Sequence, residues 1–316
     1  MISGIIAGIT WALETLILGI ALNMSPFLST AQAVTLAPFV STFLHDACSA
    51  IWAAIYNSVR GNEKNVWRAL KTKSGRFVAL AAVIGGPVGM TGYVLAINNM
   101  GASIGAVASA VFPAIGAVLA YFFLKEKMSW YRWVLLIMTL LGVYGLSYSP
   151  DVNIQNFWLG FAGTMMCAFG WGIEAVILAK CMQDEAVKDE YALQIRQTTS
   201  ALVYGIVIIP CLKGWGFTLS LLTTSTGWLL PVIALAAFFA TVSYLFYYRA
   251  IAQLGASRAM ALNVTYGAWA IVFTVLIFHD TSVLNLVTIL CTVVVLVCGI
   301  LAAADYKDFA RTNRSR

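Results

Sequence analysis

Long apolar segments separated by short polar links occupy almost the whole chain. A helix that crosses a membrane needs roughly 20 predominantly apolar residues, and ten segments meet that requirement. They lie at about residues 2–24, 31–59, 76–98, 102–124, 129–148, 157–182, 190–211, 227–253, 257–279 and 282–304. The pattern predicts an all-α integral membrane protein with ten transmembrane helices. The first segment has no basic leader and no small-residue cleavage site after it, so we expect it to form helix 1 rather than a removed signal peptide.

Two blocks of the sequence recur in the same order in the second half of the chain. The first returns 160 residues later and the second 154 residues later. The matching pairs are Trp11 and Trp171, Glu14 and Glu174, Tyr93 and Tyr247, Gly101 and Gly255, Ser103 and Ser257, and Phe112 and Tyr266. Five helices per half is an odd number, so the second half enters the membrane from the opposite side. The repeat therefore predicts two inverted-topology five-helix halves, an architecture typical of secondary transporters.

The boundary between the halves is predicted at the turn formed by Pro150, Asp151 and Asn153. Residues 1–149 then form the first repeat and residues 150–304 the second. Residues 305–316 follow as a basic tail.

Composition and charge agree with a membrane protein. Apolar residues make up 61% of the chain and charged residues 10%, and the mean hydropathy is +0.86, which excludes an ordinary soluble domain. Apart from Lys213 and Arg196, every Lys and Arg lies in one set of alternating links or in the tail. The positive-inside rule places that side, with both termini, in the cytoplasm. This asymmetry accounts for the net charge of +6, so no nucleic-acid partner is expected.

A few ionisable residues interrupt the apolar segments. They are Glu14, Asp46, Glu174 and Arg196, with His45 beside Asp46. A carboxylate is costly in hydrocarbon and persists mainly where it faces a cavity, a partner or a proton path. One alternative is structural, with Arg196 pairing with Asp46 or Glu174 to hold helices together. His45 and Asp46 suggest a proton relay, but adjacent helical positions point in different directions, so the two side chains need not touch.

Aromatic residues accompany these charges well inside the segments. Trp11 and Trp171 each precede a glutamate by one helical turn, which places ring and carboxylate on the same face. The other members of the set are Tyr244, Tyr247, Tyr248, Tyr266 and Trp269, with the polar Asn263 among them. A quaternary ammonium ion cannot donate a hydrogen bond and is recognised by ring faces and diffuse negative charge. The set favours an organic cation as ligand, and the alternative is that these rings simply pack the core.

Helix-breaking residues support a cavity. Gly85-Gly-Pro87-Val-Gly89 interrupts predicted helix 3, and Pro113 lies within predicted helix 4. Such interruptions are tolerated where neighbouring groups or water satisfy the freed backbone. They also allow a helix to bend, although a static kink is the alternative.

Several of these blocks resemble the drug/metabolite transporter superfamily, whose members are EamA-like, and more specifically its bacterial LicB-type choline permeases. The matching blocks are Gly86-Pro-Val-Gly-Met90, Gly170-Trp-Gly-Ile-Glu174, Ile195-Arg-Gln-Thr-Thr-Ser200, Ser243-Tyr-Leu-Phe-Tyr-Tyr248, Leu262-Asn-Val-Thr-Tyr266 with Trp269, and His45-Asp46. The resemblance covers nearly the whole chain. It implies ten helices in two inverted repeats and import of choline across the bacterial cytoplasmic membrane, coupled to protons and without a cofactor, a metal or an obligate protein partner.

A carrier of a small organic cation is our hypothesis, and it assigns roles to residues. The substrate-binding set comprises Trp11, Glu14, Trp171, Glu174, Tyr244, Tyr247, Tyr248, Asn263, Tyr266 and Trp269. The set for proton coupling or structural polar contacts comprises His45, Asp46, Arg196 and Gln197. Glu14 departs from the family pattern, which has a small or weakly polar residue there. This second carboxylate leaves open a different cation, a further proton site or a structural pair with Arg196.

Two other functions remain as alternatives. An exporter of amino acids, nucleosides or cationic drugs would use the same fold, since the direction of transport is not encoded in these motifs. A membrane-embedded enzyme is disfavoured because the sequence has no HExxH motif, no nucleophile elbow and no phosphate-binding GxxxxGK[ST] loop.

Overall fold

The computed structural model describes residues 1–148, 154–224 and 227–304, and gives the backbone alone for residues 102–109 and 224. Within these ranges the chain contains helices and no strand, as predicted. The expected turn at Pro150, Asp151 and Asn153, the boundary between residues 149 and 150, and the basic tail of residues 305–316 lie outside the described residues.

The helices follow one another with short connections. In chain order they are α1 Ile2–Leu22, α2 Ala31–Val59, α3 Glu63–Lys71, α4 Lys73–Val83, α5 Gly89–Met100, α6 Ala102–Leu124, α7 Trp130–Ser147, α8 Phe157–Cys181, α9 Asp189–Val203, α10 Ile209–Cys211, α11 Trp215–Thr224, α12 Leu229–Leu254, α13 Ala256–Asn263, α14 Tyr266–Phe278 and α15 Leu286–Ala303. Two π-helical segments, Ile84–Val88 and Tyr204–Ile208, join α4 to α5 and α9 to α10.

Nine stretches of the described chain are long and apolar enough to cross a membrane. They are Ile2–Leu22, Ala31–Val59, Lys73–Met100, Trp130–Ser147, Phe157–Cys181, Asp189–Cys211, Leu229–Leu254, Ala256–Phe278 and Leu286–Ala303. Helix α6 has 23 residues, but its fully described part, Ala110–Leu124, is a shorter apolar helix. The short helices α3 and α11 lie in links between spans and were not among the predicted elements.

The span Lys73–Met100 is interrupted where the sequence predicts a break. Pro87 cannot donate a backbone hydrogen bond, and the helix widens to a π turn over Ile84–Val88. The indole Nε1 of Trp171, on α8, donates to the carbonyl of Gly85, inside the π turn, at 2.9 Å. A neighbouring helix thus bonds to the backbone within the break, and contacts of this kind help such breaks to be tolerated at membrane depth.

Small residues allow the helices to pack closely. Helix α1 lies along α12, α5 and α6 lie along α8, and α7 lies along α15. A Cβ atom added to Gly92 would lie 2.6 Å from the carbonyl oxygen of Gly163, so the backbones of α5 and α8 nearly touch. Such small-residue contacts are typical of helix pairs in membranes.

The bundle has two distinct ends. At one of them Ser3 contacts Gln253 at 3.4 Å and Arg132 Nε donates to the carbonyl of Ala302 at 2.6 Å. The first turn of α1 therefore lies beside the end of α12, and the first turn of α7 lies beside the end of α15. Arg258, just after α12, also donates to the carbonyl of Ala303, so these ends lie together, and we call this the terminal end. At the other, or opposite, end the amide of Gln155 donates to the carbonyl of Asn99 at 2.9 Å.

Candidate functional site

A cavity of about 460 Å³ lies between the helices at the level of the buried charges. Its lining reaches Ile97 and Asn98, in the last turn of α5 at the opposite end. Asn98 is exposed, so the cavity opens there. The predicted site residues that line it are Trp11, Glu14, His45, Asp46, Trp171, Glu174, Arg196, Tyr244, Tyr247, Tyr248, Asn263 and Tyr266.

Two residues of the predicted sets do not line this cavity. Trp269 is half-buried, and its ring lies 6.5 Å from that of Phe273, centre to centre. Asn263 and Trp269 do not lie on one continuous helix, because α13 ends at Asn263 and α14 begins at Tyr266. Gln197 is fully buried and belongs to the polar network behind the cavity wall.

The five ionisable residues of the predicted site form a continuous chain across four helices. His45 Nε2 lies 3.4 Å from Glu14 Oε1, and His45 Nδ1 lies 3.0 Å from Asp46 Oδ1. Arg196 continues the chain, with Nη1 3.6 Å from Asp46 Oδ2 and Nε 3.0 Å from Glu174 Oε1. Each of the five side chains is less than a tenth exposed. The chain connects α1, α2, α9 and α8 in that order.

This arrangement answers the alternatives that the sequence left open. Arg196 pairs with both Asp46 and Glu174, so the structural pairing exists. His45 and Asp46 touch although they are adjacent in the helix. The nearest basic partner of Glu14 in the described structure is His45 rather than Arg196. With all three carboxylates ionised, negative charges outnumber positive ones even when His45 is protonated, a balance that would favour a cation.

Polar side chains hold Arg196 from behind. Its Nη1 donates to Gln197 Oε1 at 2.7 Å, Gln197 Nε2 donates to Ser49 Oγ at 2.8 Å, and Ser49 Oγ lies 2.8 Å from Thr241 Oγ1. Ser200 Oγ donates to Asp46 Oδ2 at 2.6 Å. The network fixes the direction of the guanidinium, since charge-assisted hydrogen bonds are short and directional.

Aromatic rings form the wall on the side of α1 and α12. The ring of Trp11 meets Tyr244 edge-on, with centroids 4.9 Å apart, and lies 6.5 Å from Tyr266. The ring of Tyr248 follows at 6.1 Å from Tyr244. The guanidinium carbon of Arg196 lies 4.7 Å from the Tyr244 ring centroid, so this ring already faces one cation.

A second aromatic group, which includes two residues absent from the predicted site, surrounds Trp171. The ring of Phe112 lies edge-on to that of Trp171, with centroids 5.7 Å apart, and the ring of Tyr93 is tilted against it at 6.0 Å. Both residues line the cavity. The repeat contained the signal, because Tyr93 pairs with Tyr247 and Phe112 with Tyr266 at the 154-residue offset. If the repeat counterpart of each predicted site residue had also been assigned to the site, both residues would have been included.

The glycines of the π segment make room for the site. A Cβ atom on Gly85 would collide with the carboxylate of Glu174. A Cβ atom on Gly86 would lie 2.5 Å from Ser200 Oγ, and one on Gly89 would lie 3.0 Å from the Trp171 ring. The broken helix therefore serves as a flat surface against which Glu174 and Trp171 lie.

Some polar atoms of the lining have no hydrogen-bond partner in the described part of the structure. They are Tyr248 Oη and Asn263 Oδ1. Buried polar groups without partners are uncommon in folded proteins. These two atoms are therefore suited to bond a solute or water in the cavity.

Comparison with known proteins gives this geometry a family. Residues 1–148 match the EamA-like transporter family. The chain carries an EamA-like transporter domain. It is 29% identical over 307 residues to Protein LicB of Haemophilus influenzae, and the match covers 96% of this chain and 97% of the relative. A solved crystal structure with 15% identity superposes with a TM-score of 0.68 over 96% of both chains, which supports the fold alone.

The family and the apolar helices together define the protein at a coarse level. It is a multi-pass membrane protein whose residues 1–148 match the EamA-like transporter family. Its resemblance to LicB extends over nearly all of the EamA-like chain and includes both halves of the predicted repeat. These similarities support a membrane transporter.

Proposed function

We propose that the protein is a secondary transporter that imports choline, or a similar small quaternary-ammonium cation, with protons. The single observation that carries the proposal is the cavity of about 460 Å³ in which two tryptophan–glutamate pairs and several tyrosines face the same space. Its volume falls in the range of about 300–1,000 Å³ that is typical of small-molecule sites. An excess of carboxylates sets the sign of the ligand's charge.

The aromatic residues would recognise the trimethylammonium group. The rings of Tyr244 and Tyr266 lie 4.9 and 6.5 Å from that of Trp11, and Trp171 forms a second aromatic group with Phe112. Each ring face that meets the cation contributes about 0.5–2 kcal/mol. The unpartnered Asn263 Oδ1 and Tyr248 Oη are placed to bond the hydroxyl group of choline.

The chain of charges offers a route for a coupled proton. His45 lies between Glu14 and Asp46, and a histidine is the side chain whose ordinary titration range is closest to neutral pH. Binding of a cation near Glu14 changes the field at His45, so cation and proton occupancy become linked. Import of a cation also gains about 2.3 kcal/mol per 100 mV of inside-negative potential.

The transport cycle requires an architecture with two access states. We propose that α6 is the tenth span and that the two five-helix halves are related by an inverted repeat in a bacterial cytoplasmic membrane, with both termini in the cytoplasm. In that orientation the cavity opens to the outside. Closing this opening and opening the terminal end would deliver the cation to the cytoplasm.

The test is uptake of labelled choline into proteoliposomes by the wild type and by Glu174→Gln. We expect the variant to lose most uptake because it removes a carboxylate that faces the cavity and pairs with Arg196. Glu185→Gln is the matched control, since Glu185 is exposed in the link between α8 and α9. Undiminished uptake by Glu174→Gln would remove the role assigned to this carboxylate.

Two further experiments test which substrate is bound and whether its uptake is coupled to protons. The tertiary amine dimethylaminoethanol, betaine and guanidinium are offered as competitors, and choline should bind best if a quaternary ammonium group without a neighbouring carboxylate is selected. An imposed inward proton gradient at zero membrane potential should then accelerate choline uptake. Efflux down the choline gradient with no response to protons would favour an exporter or a facilitator.

A further inference from the structure

The turns that follow α6 and α14 have the same backbone shape. Lys125 and His279 end these helices in the left-handed conformation, with φ, ψ of 57°, 28° and 53°, 23°. The next residue is acidic in both, Glu126 and Asp280. The Glu126 amide donates to a carbonyl six residues earlier at 3.2 Å, and the Asp280 amide does the same at 3.3 Å. The two turns are 154 residues apart, the offset of the internal repeat.

Two glycines complete the symmetry. Gly101 precedes α6 and Gly255 precedes α13, with φ, ψ of 90°, 160° and 89°, 164°. This positive φ favours glycine. They too are 154 residues apart. Each half of the chain therefore contributes one acidic turn and one helix that begins after a glycine, at opposite ends of the bundle.

At the terminal end the acidic turn is engaged. The carboxylate of Glu126 accepts hydrogen bonds from the amides of Ala256 and Ser257 at 2.9 and 3.1 Å and from Ser257 Oγ at 2.6 Å. A Cβ atom on Gly255 would lie 2.6 Å from Glu126 Oε1. The acid thus caps the N-terminus of α13, where unsatisfied amides and the helix dipole favour negative charge.

At the opposite end the equivalent parts are separate. Asp280 is exposed, and its Oδ1 accepts from the amide and hydroxyl of Ser282 at 2.9 and 2.5 Å. These bonds hold the pKa of Asp280 below its ordinary value, so the group is charged at neutral pH. In the described structure no atom lies within 4 Å of a Cβ built on Gly101. The cavity opens at this end.

We propose that Glu126 and Asp280 are alternating latches, each of which closes one end of the transport pathway by capping the helix that begins after the facing glycine. In the structure the Glu126 latch is engaged and closes the terminal end, whereas the Asp280 latch is released and the opposite end is open. In the other state Glu126 releases the start of α13, and Asp280 accepts the backbone amides at the start of α6. This inference rests on the alternating access of the proposed function.

Cysteine accessibility can measure the balance of the two states without a substrate. Ile97 lines the open cavity, whereas its repeat counterpart Ile251 is 2% exposed at the terminal end. In a cysteine-free parent, Ile97→Cys and Ile251→Cys are labelled separately with a small maleimide. The ratio of the two labelling rates follows the ratio of the two populations.

The latch predicts shifts of opposite sign. Because bonds to an ionised cap are about twice as strong as neutral ones, we expect Glu126→Gln to lower the ratio of Ile97 to Ile251 labelling about tenfold. Asp280→Asn should raise it. Ser257→Ala removes one of three bonds to Glu126 and should lower it by a smaller factor, which keeps the test valid if Glu126→Gln folds poorly.

The control is Glu185→Gln, which should leave the ratio unchanged. Two outcomes would overturn the latch proposal. One is the same labelling ratio for Glu126→Gln, Ser257→Ala and this control. The other is a shift of the same sign for the Glu126 and Asp280 variants. Labelling does not require choline, so the latch can fail while wild-type choline uptake stands. The reverse outcome, with opposite shifts but no choline uptake, would reject the substrate and keep the latch.

Discussion

Gly85 is the position at which a single methyl group should do most damage to the site. Its substitution by alanine directs a Cβ atom into the carboxylate of Glu174, with Glu174 Cβ also only 2.8 Å away. The carboxylate must then turn aside and leave its 3.0 Å contact with Arg196. We expect Gly85→Ala both to destabilise the fold and to weaken cation binding.

The free-energy cost of this collision can be separated from the effect of helix preference by a matched substitution at a second glycine. Nothing lies within 4 Å of a Cβ atom on Gly267, in α14. Both substitutions replace glycine by alanine inside a helical segment, so the intrinsic helix preference of about 0.5–1 kcal/mol enters both. The difference between them then reports the collision, for which overpacking in a filled interior gives about 1–3 kcal/mol.

The assay is denaturant unfolding in detergent micelles, with choline binding measured on the same preparations. Gly267→Ala should be as stable as the wild type or more so, and Gly85→Ala should be less stable and bind choline more weakly. In a Glu174→Ala background, where most of the obstructing side chain is absent, the penalty of Gly85→Ala should largely disappear. Equal stability of the two glycine variants would refute the reasoning.

Two further substitutions test other contacts of the site. Arg196→Met leaves Asp46 and Glu174 buried without their cation, so we expect a loss of about 3–5 kcal/mol in unfolding free energy, partly recovered in the double variant Arg196→Met/Glu174→Gln. Wild-type stability of Arg196→Met would contradict this. Trp171→Phe keeps a ring but loses the bond to the Gly85 carbonyl, so unfolding should show a loss of about 0.5–1.5 kcal/mol. Trp158→Phe, at a 76% exposed ring, is its control and should change little.

Much of the fold follows from the spacing of apolar residues. Segment length alone predicts the nine spans of the described structure, and Pro87 with its glycines predicts the break at Ile84–Val88. The short helix Trp215–Thr224 was missed because ten residues are too few to register in a search for spans. Local sequence carries these features because each depends on its own segment.

The rotation of one helix against another is not local, and there the sequence was less informative. Helical spacing places Trp11 and Glu14 on one face, but it does not reveal that Glu14 approaches His45 on another helix. Likewise, a single arginine among three carboxylates could pair with any of them. Only packing determines that Arg196 reaches two at once.

The fixed charges of the cavity have an electrical consequence. In the proposed cycle, with the three carboxylates ionised and His45 protonated, the buried chain from Glu14 to Glu174 carries one surplus negative charge, which a monovalent cation would neutralise. The loaded carrier would then reorient with little work against the membrane voltage. The voltage would act instead on the empty carrier and drive its negatively charged site towards the positive face of the membrane, where it would meet the next solute.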